Sequence, residues 1–310
     1  MLEVDDLQKK FKNTIAVDGV NLFLDEGESV GLLGPNGAGK STTISMISTL
    51  LKPTAGEIYF KGENILKKPE SIRPYLGVVP QEIALYQELT AYENMKFFGK
   101  AYGLSGKKLK VKIDEALELV GLTDRKKDRI KEFSGGMKRR INIAVSLMHE
   151  PKLLIMDEPT VGIDPQSRNY ILEMVRELNL SKNMTIIYTS HYMEEVEKLC
   201  DRIYIMDHGQ IIASGTQEEL RGILSSEETL LIEVVEKSPD FIKKLSVHSS
   251  IQQVVESNGG YKVLTAKGED LFSHIFDLAK ESQVKIRGVH VQTPTLEDVF
   301  LHLTGRKLRD

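Results

Sequence analysis

The sequence has a single cysteine, Cys200, and no apolar run long enough to cross a membrane. One cysteine excludes an internal disulfide framework and is typical of proteins from reducing compartments. Its apolar surroundings, KLCDRIYIM, favour a buried and unreactive thiol. Because a membrane-spanning helix needs about 18 or more consecutive apolar residues, we expect no span within this chain.

The chain also has little excess charge of either sign. Its 310 residues include 41 Lys and Arg against 45 Asp and Glu, which gives a net charge of −4. We therefore expect no general attraction to nucleic acid or to anionic lipid. Charged residues make up 28% and hydrophobic residues 41%, as is typical of globular proteins. A chain of this length can form two domains.

The clearest chemistry lies in one stretch, SVGLLGPNGAGKST at residues 29–42. The apolar run 30–33 predicts a buried strand, and the segment ISMISTLL behind the motif predicts a helix. Between them, residues 34–41 fit the phosphate-loop pattern G-x-x-x-x-G-K-[ST] with no mismatch. Glycines let backbone N–H groups approach a phosphate, and the helix adds the positive end of its dipole. We expect Lys40 to reach the β- and γ-phosphates of a nucleotide and the Ser41 hydroxyl to bind Mg²⁺.

Further polar residues follow apolar segments that predict strands. Gln81 follows LGVVP, Asp157 and Glu158 follow LLIM, and His191 follows TIIYTS. In an open α/β sheet, ligands bind at the carboxyl ends of the strands, so we expect these residues to converge on one site with Ser41. Asp157 would hold Mg²⁺ and Glu158 would polarise the attacking water. The alternative for the Asp-Glu pair is a purely structural strand end.

The remaining segments predict the organisation around this site. Residues 1–28 alternate apolar and polar positions, which predicts antiparallel strands with turns at Asp18-Gly19 and Glu26-Gly27. Helical periodicity dominates residues 90–150 and predicts a helical insertion in an α/β domain. Within the insertion, Ser134-Gly135-Gly136 precede an apolar helix, a pattern that is only a weak signal of a second anion site.

The C-terminal part, from about 227 onward, predicts a β-α-β-β-α-β order, which is typical of a small ferredoxin-like sandwich. Its last segment, TPTLEDVFLHLTG, predicts a helix that begins near Pro294, with Thr293 or Thr295 as the N-cap. The apolar positions of that helix form one stripe: Leu296, Val299, Phe300 and Leu303. The stripe packs either within the chain's own C-terminal part or on a partner subunit.

Taken together and in this order, the motifs resemble the ATP-binding cassette (ABC) ATPases over roughly residues 1–220. The resemblance implies an α/β fold, in which a P-loop NTPase core carries an N-terminal antiparallel β part and a helical subdomain at about 85–150. We therefore expect an ATP-binding domain over 1–222 and a small α+β ferredoxin-like domain over 227–310.

The resemblance also implies a role for each motif. Phe11 would stack on adenine, Gln81 would contact Mg²⁺ and water, and Glu158 would act as the catalytic base. His191 would be the γ-phosphate switch, and Asp164 would lie in the loop that crosses the dimer interface. The phosphate loop would comprise Gly34, Pro35, Asn36, Gly37, Ala38, Gly39, Lys40, Ser41 and Thr42. The signature loop, which meets ATP held by the opposite subunit, would comprise Ser134, Gly135 and Gly136, while Mg²⁺ would be held by Ser41, Gln81 and Asp157.

One position departs from the commonest signature, L-S-G-G-Q, because Met137 stands where glutamine is usual. Methionine offers only a weak acceptor, so the polar contact of a glutamine is lost there. Met137 followed by Lys138-Arg139-Arg140, together with the tail TPTLEDVFLHLTG, is similar to the branch of drug- and antibiotic-resistance exporters of the ABC-2 type.

The function implied is that of an ATPase subunit, with ATP and Mg²⁺ as cofactors, in a homodimer or heterodimer that closes on ATP. It would drive a separate membrane permease from the cytoplasmic face and export drug, antibiotic or lipid-like cargo. One alternative is a non-transport ABC ATPase in translation or DNA repair, which usually has tandem cassettes or a long coiled-coil insertion. Another is a degenerate cassette that does not hydrolyse ATP, against which the intact Lys40, Asp157, Glu158 and His191 argue.

Overall fold

The computed structural model describes residues 1–224, 227–257, 259–266, 271–292 and 295–304. The chain divides into two compact units, the first ending at Thr216 and the second beginning at Gln217. Within the described ranges, every helix is too short or too polar to cross a membrane.

The first unit begins with strands and then alternates strands with helices. Its elements are β1 (Leu2–Phe11), β2 (Thr14–Leu24), β3 (Ser29–Leu33), α1 (Lys40–Ile47), β4 (Ala55–Phe60), β5 (Glu63–Asn64), β6 (Leu76–Val79), α2 (Ala91–Ala101), α3 (Gly106–Leu119), α4 (Gly135–Leu147), β7 (Leu153–Asp157), α5 (Pro165–Lys182), β8 (Thr185–Ser190), α6 (Met193–Leu199), β9 (Arg202–Asp207) and β10 (Gln210–Gly215). An antiparallel sheet has the order β2-β1-β4-β5, and a six-stranded sheet has the order β10-β9-β3-β8-β7-β6.

The six-stranded sheet is parallel from β9 to β6, and β10 pairs antiparallel at its edge. Strands β3, β7 and β8 are buried at every position, as expected for parallel strands covered on both faces. Helix α6 contacts β3 and β8, and α4 contacts β6. Helices α2, α3 and α4 contact one another and form the predicted helical insertion. The parallel order brings the carboxyl ends of β3, β6, β7 and β8 to one edge.

One predicted turn is wrong, because Asp18 and Gly19 lie inside β2 rather than between two strands. The pairing of β1 with β2 shifts register there, and Gly19 has a φ of +69°. The pair therefore forms a bulge in a continuous strand. The chain reverses instead between β1 and β2, at Lys12-Asn13, where Lys12 has a φ of +45°. The predicted turn at Glu26-Gly27 is present.

The second unit has the predicted β-α-β-β-α-β core flanked by two further helices. Its elements are α7 (Gln217–Gly222), β11 (Glu227–Val234), α8 (Pro239–Ser246), β12 (Ile251–Ser257), β13 (Gly260–Ala266), α9 (Phe272–Glu281), β14 (Ile286–Gln292) and α10 (Leu296–Thr304). The sheet order is β12-β13-β11-β14, and each neighbouring pair is antiparallel. This is the ferredoxin-like order. Its core buries Ile232, Phe241, Tyr261 and Ile275.

The C-terminal helix α10 begins at a reciprocal cap. The Thr295 N–H donates to Asp298 Oδ2 over 2.8 Å, and the Asp298 N–H donates to Thr295 Oγ1 over 3.2 Å. The alternative N-cap Thr293 and the predicted start at Pro294 lie outside the described residues. Within the stripe, Leu296, Val299 and Phe300 are fully buried and Leu303 is half-buried. Because α10 contacts α7, the stripe packs within its own unit.

Candidate functional site

The loop between β3 and α1 is closely packed at its ends and open in its middle. A Cβ added at Gly34 would lie 2.3 Å from the Met206 carbonyl oxygen. At Gly39, where φ is +104°, a Cβ would lie 2.5 Å from the Ala16 carbonyl oxygen, whereas a Cβ at Gly37 would meet nothing within 4 Å. The first N–H groups of α1 have no acceptor within the helix. The loop can therefore present backbone donors to an anion at its open side.

The side chain of Lys40 is held inside this loop. It is buried, and its Nζ donates to the carbonyl oxygens of Gly34 over 2.7 Å and Pro35 over 3.1 Å. The same Nζ lies 3.2 Å from Glu158 Oε1. The ammonium is thus fixed between the loop and the end of β7, where an anion would meet its charge.

Two oxygen-bearing side chains meet beside Lys40. The Ser41 hydroxyl donates to Asp157 Oδ1 over 3.2 Å, and the Thr189 hydroxyl donates to the same oxygen over 2.7 Å. Hydroxyl and carboxylate oxygens suit Mg²⁺, which in such sites takes its remaining ligands from phosphate and water. Among the described residues, no cluster of three or more His, Cys, Asp or Glu could hold a metal without such help. The pair fits a metal that arrives with a nucleotide.

Glu158 lies at the centre of the site. Its Oε2 accepts from Gln81 Nε2 over 3.3 Å and lies 3.6 Å from His191 Nδ1, an ion-pair distance. Its backbone has a φ of +45°, and its N–H donates to Thr189 Oγ1 over 2.9 Å. The structure thus brings Gln81, Glu158, His191 and Lys40 together from the ends of four elements. A buried carboxylate so placed can act as a general base once its neighbours hold a water and an electrophile.

The signature residues and Asp164 form a second cluster. Ser134 caps α4 by accepting from the Met137 N–H over 3.2 Å, and Asp164 caps α5 by accepting from the Ser167 N–H over 2.9 Å. A Cβ at Gly136 would lie 2.0 Å from Ser167 Oγ, so only glycine fits there. Hydrogen bonding to the Ser167 N–H is the largest cause that lowers the pKa of Asp164, and the Ser167 hydroxyl lowers it further. In the described part of the chain, no hydrogen bond or ion pair joins this cluster to Lys40.

The remaining predicted residues lie at the surface. Phe11, at the end of β1, is 46% exposed, and the Lys9 ammonium lies 5.1 Å from its ring centroid. Ser134 and Gly135 are also exposed. These positions are open to a ligand or to another protein chain.

Three residues of the site escaped the sequence analysis. Thr189 bonds both Asp157 and Glu158, and only its polarity within an apolar strand marked it. Arg139, which is buried in α4, donates to the carbonyl oxygens of Pro80 over 2.7 Å and Gln81 over 2.5 Å. Burial lowers the pKa of this guanidinium. It fixes the segment that carries Gln81.

The third is Glu195, a buried carboxylate in α6. It accepts hydrogen bonds from the hydroxyls of Thr160, Tyr188 and Ser190. Burial raises the pKa of Tyr188 well above its usual value, and the charge of Glu195 is the second cause that raises it. In the sequence Glu195 is one of three closely spaced glutamates, and nothing sets it apart from Glu194 and Glu197.

Comparisons with known proteins converge on one family. Residues 17–161 match the family described as ABC transporter. The linearmycin resistance ATP-binding protein LnrL of Bacillus subtilis (strain 168) is 48% identical over 312 residues, which cover 100% of both chains. The Nod factor export ATP-binding protein I of Rhizobium sp. (strain N33) is 38% identical over 99% of this chain and 98% of its own. The daunorubicin resistance ATP-binding protein DrrA3 of Streptomyces coeruleorubidus is 34% identical over 98% and 96%.

Solved structures that resemble this chain are also ATP-binding cassettes. The ATP-binding cassette MJ0796, in a dimeric post-hydrolysis state bound to ADP and Pi, superposes with a TM-score of 0.65 at 27% identity. The match covers 70% of this chain and 98% of MJ0796. An ATP-binding subunit of an ABC transporter superposes with a TM-score of 0.65 at 34% identity, covering 72% of this chain and 93% of its own.

Proposed function

The chain belongs to the ABC transporter family as an ATP-hydrolysing subunit, and we propose that the cluster around Lys40 and Glu158 is where it binds and hydrolyses ATP. The observation that carries the proposal is the convergence of Lys40, Gln81 and His191 on the Glu158 carboxylate. Phosphoryl transfer depends mainly on positioning and charge stabilisation, and this cluster supplies both.

We assign each residue a role that its contacts support. The loop amides and the Lys40 ammonium hold the β- and γ-phosphates, and phosphate oxygens compete with Glu158 for that ammonium. Ser41 and Asp157, with Gln81 alongside, would hold Mg²⁺, which would supply positive charge to the phosphates. Glu158 accepts a proton from the attacking water. His191, whose Nδ1 lies 3.6 Å from Glu158 Oε2, would donate toward the γ-phosphate.

The second cluster completes the site in a dimer. Ser134, Gly135 and Gly136 would face the γ-phosphate held by the opposite subunit, and Asp164 would cross the interface. Support comes from the exposure of Ser134 and Gly135, from their separation from Lys40, and from the dimeric state of MJ0796. Since each site needs donors from both subunits, separating the subunits stops hydrolysis.

The dimer would drive a separate membrane permease. An exposed aromatic pair, Tyr86 and Phe97, lies five and 16 residues beyond Gln81, and the two rings pack edge to face with their centroids 5.0 Å apart. We place the permease contact on residues 82–100, at the cytoplasmic face of the membrane. The named relatives act in linearmycin resistance, daunorubicin resistance and Nod factor export, which favours export of drug, antibiotic or lipid-like cargo. None of these three names gives support to a role in translation or DNA repair.

The test is phosphate release from ATP and Mg²⁺ by Lys40→Ala, with Lys110→Ala as the matched control. Lys110 is exposed on α3 and lies outside the site. We expect Lys40→Ala to bind ATP weakly and to lose turnover by roughly 100-fold or more, because a charged phosphate contact is gone. Lys110→Ala should match the wild type. Wild-type turnover in folded Lys40→Ala would refute the assignment.

A further inference from the structure

Glu195 is a buried acidic side chain outside the cluster around Lys40 and Glu158. Its side chain is 2% exposed. Its two carboxylate oxygens accept from the Thr160 hydroxyl over 2.8 and 2.7 Å, from the Tyr188 hydroxyl over 3.0 Å and from the Ser190 hydroxyl over 2.9 Å. The Arg168 Nε lies 3.4 Å from Oε1. A buried carboxylate persists only with such a full set of partners.

The partners of Glu195 come from the segments that carry the proposed site residues. Thr160 lies two residues after Glu158. Arg168 lies in the first turn of α5, and its N–H donates to the carbonyl oxygen of Asp164. Ser190 ends β8 and directly precedes His191. One carboxylate thus joins the segments of the proposed base, the interface loop and the switch histidine.

The contacts continue through Ser190 to the other side of His191. The Tyr192 N–H donates to Ser190 Oγ over 2.9 Å, so the network fixes the backbone before and after the histidine. The Arg168 guanidinium lies 4.5 Å from the Tyr192 ring centroid, and that ring lies 4.1 Å from the His191 ring. A shift of Glu195 would therefore be transmitted to the imidazole.

We propose that Glu195 is a positioning residue for ATP hydrolysis, which sets the relative placement of Glu158, Asp164 and His191 through Thr160, Arg168 and Ser190. The inference rests on the proposed function of that site. Among the described residues, Glu195 makes no hydrogen bond or ion pair with Lys40, Asp157 or Glu158, and it acts through the hydroxyls that it binds. A neutral amide of the same size cannot accept from three hydroxyls while facing a guanidinium, so the segments should lose their fixed spacing.

The experiment compares Glu195→Gln with the matched control Glu194→Gln, an exposed neighbour in the same helix. ATP turnover is measured over a range of ATP concentrations with the full chain and Mg²⁺. Because small displacements of reacting groups cost turnover, we expect Glu195→Gln to lower kcat between about 10- and 100-fold. KM for ATP should stay within about threefold, because the phosphate loop and Phe11 are untouched. Glu194→Gln should match the wild type.

A second variant, Ser190→Ala, removes one partner and leaves the carboxylate in place. It should lower kcat in the same direction but by less, and the double variant should resemble Glu195→Gln, because both changes act through one network. Thermal unfolding of each variant reports folding directly. If the role of Glu195 were purely structural, the variants would have a lower melting temperature and a higher KM, without the shared fall in kcat. Failure of both variants to fold would also overturn the inference.

The outcomes separate this inference from the proposed function. An active wild type whose kcat is unchanged by Glu195→Gln, or multiplicative losses in the double variant, would overturn the positioning role alone. A wild-type chain with no ATP hydrolysis would overturn the proposed function and, with it, the role of Glu195.

Discussion

The backbone of Glu158 adopts a conformation that its residue type rarely takes. A φ of +45° in a non-glycine residue costs on the order of 1 kcal/mol and needs support from its surroundings. Thr189 supplies that support, because its hydroxyl accepts from the Glu158 N–H and donates to Asp157 Oδ1. One hydroxyl therefore orients both members of the Asp-Glu pair.

Arg139 supports the neighbouring segment through its two carbonyl contacts. Arg139→Ala would leave the carbonyl oxygens of Pro80 and Gln81 without this donor, so Gln81 should lose its fixed position. We expect the free energy of unfolding to fall by about 2 kcal/mol, as for a buried hydrogen bond to a charged group, and ATP turnover to fall with it. Chemical denaturation and phosphate release check this, with Lys138→Ala as the control. Unchanged stability and turnover would contradict the assigned role.

Cys200 allows a pH prediction. Burial raises the pKa of this thiol to about 12. The folded state therefore keeps the proton, and its contribution to stability is complete below the ordinary thiol pKa and is lost as the pH rises toward 12. At pH 8.5, iodoacetamide should alkylate the native chain at least about 100-fold more slowly than the urea-unfolded chain. Similar rates in both states would show that the thiol is accessible and ionised.

Part of the site follows from the sequence because the chemistry depends on local spacing. The phosphate loop and the polar residues after apolar strands are contiguous patterns, and the parallel sheet then brings them to one edge. Thr189, Arg139 and Glu195 have no such pattern. Their roles come from contacts between residues far apart in the chain, such as Arg139 with Pro80. The periodicity of a sequence does not predict such contacts.

Among the elements, β2 shows where local signals fail. Asp-Gly is a strong turn signal, yet Asp18-Gly19 lies within a strand because pairing with β1 continues on both sides. The glycine supplies the positive φ that the bulge requires. The order of the second unit was predictable because its strands and helices differ in period and are separated by clear breaks.

Helix α10 carries a prediction of its own. Phe300 is fully buried, whereas its neighbour Leu301 is 39% exposed. Phe300→Ala should destabilise the second unit by about 3 to 5 kcal/mol, because it leaves a cavity where α10 packs within the unit. Leu301→Ala should cost far less. Denaturation monitored by hydrogen exchange in the second unit measures the loss of stability in both variants. Equal losses would contradict the burial of Phe300.

Removal of α10 should affect solubility or assembly rather than ATP binding. Truncation after Gln292 removes α10 and exposes the face of α7 that it contacts. Every proposed site residue, including Glu195, lies before residue 196, so ATP binding should survive. We expect the truncated chain to lose solubility or subunit assembly instead. A truncated chain that is well folded and assembles normally with its partners would leave the helix without a role at an interface.

At the scale of the whole molecule, the proposed mechanism of hydrolysis requires two subunits for each catalytic event. The phosphate loop and the signature loop belong to separate clusters of one chain, and in the proposed dimer the signature loop of a second chain completes the site. ATP would then hold the dimer closed, and hydrolysis would release it. In this proposed cycle, Glu158 would drive that release by activating water.

The most direct test is Glu158→Gln, with Glu118→Gln on the exposed face of α3 as the control. The amide keeps the shape of Glu158 but cannot accept the proton of the attacking water, so ATP should bind and persist. Size-exclusion chromatography with ATP and Mg²⁺ should show a stable dimer of Glu158→Gln, with phosphate release at most about 1% of the wild type. The control should behave as the wild type. Normal hydrolysis by Glu158→Gln, or a variant that stays monomeric with ATP, would contradict the account.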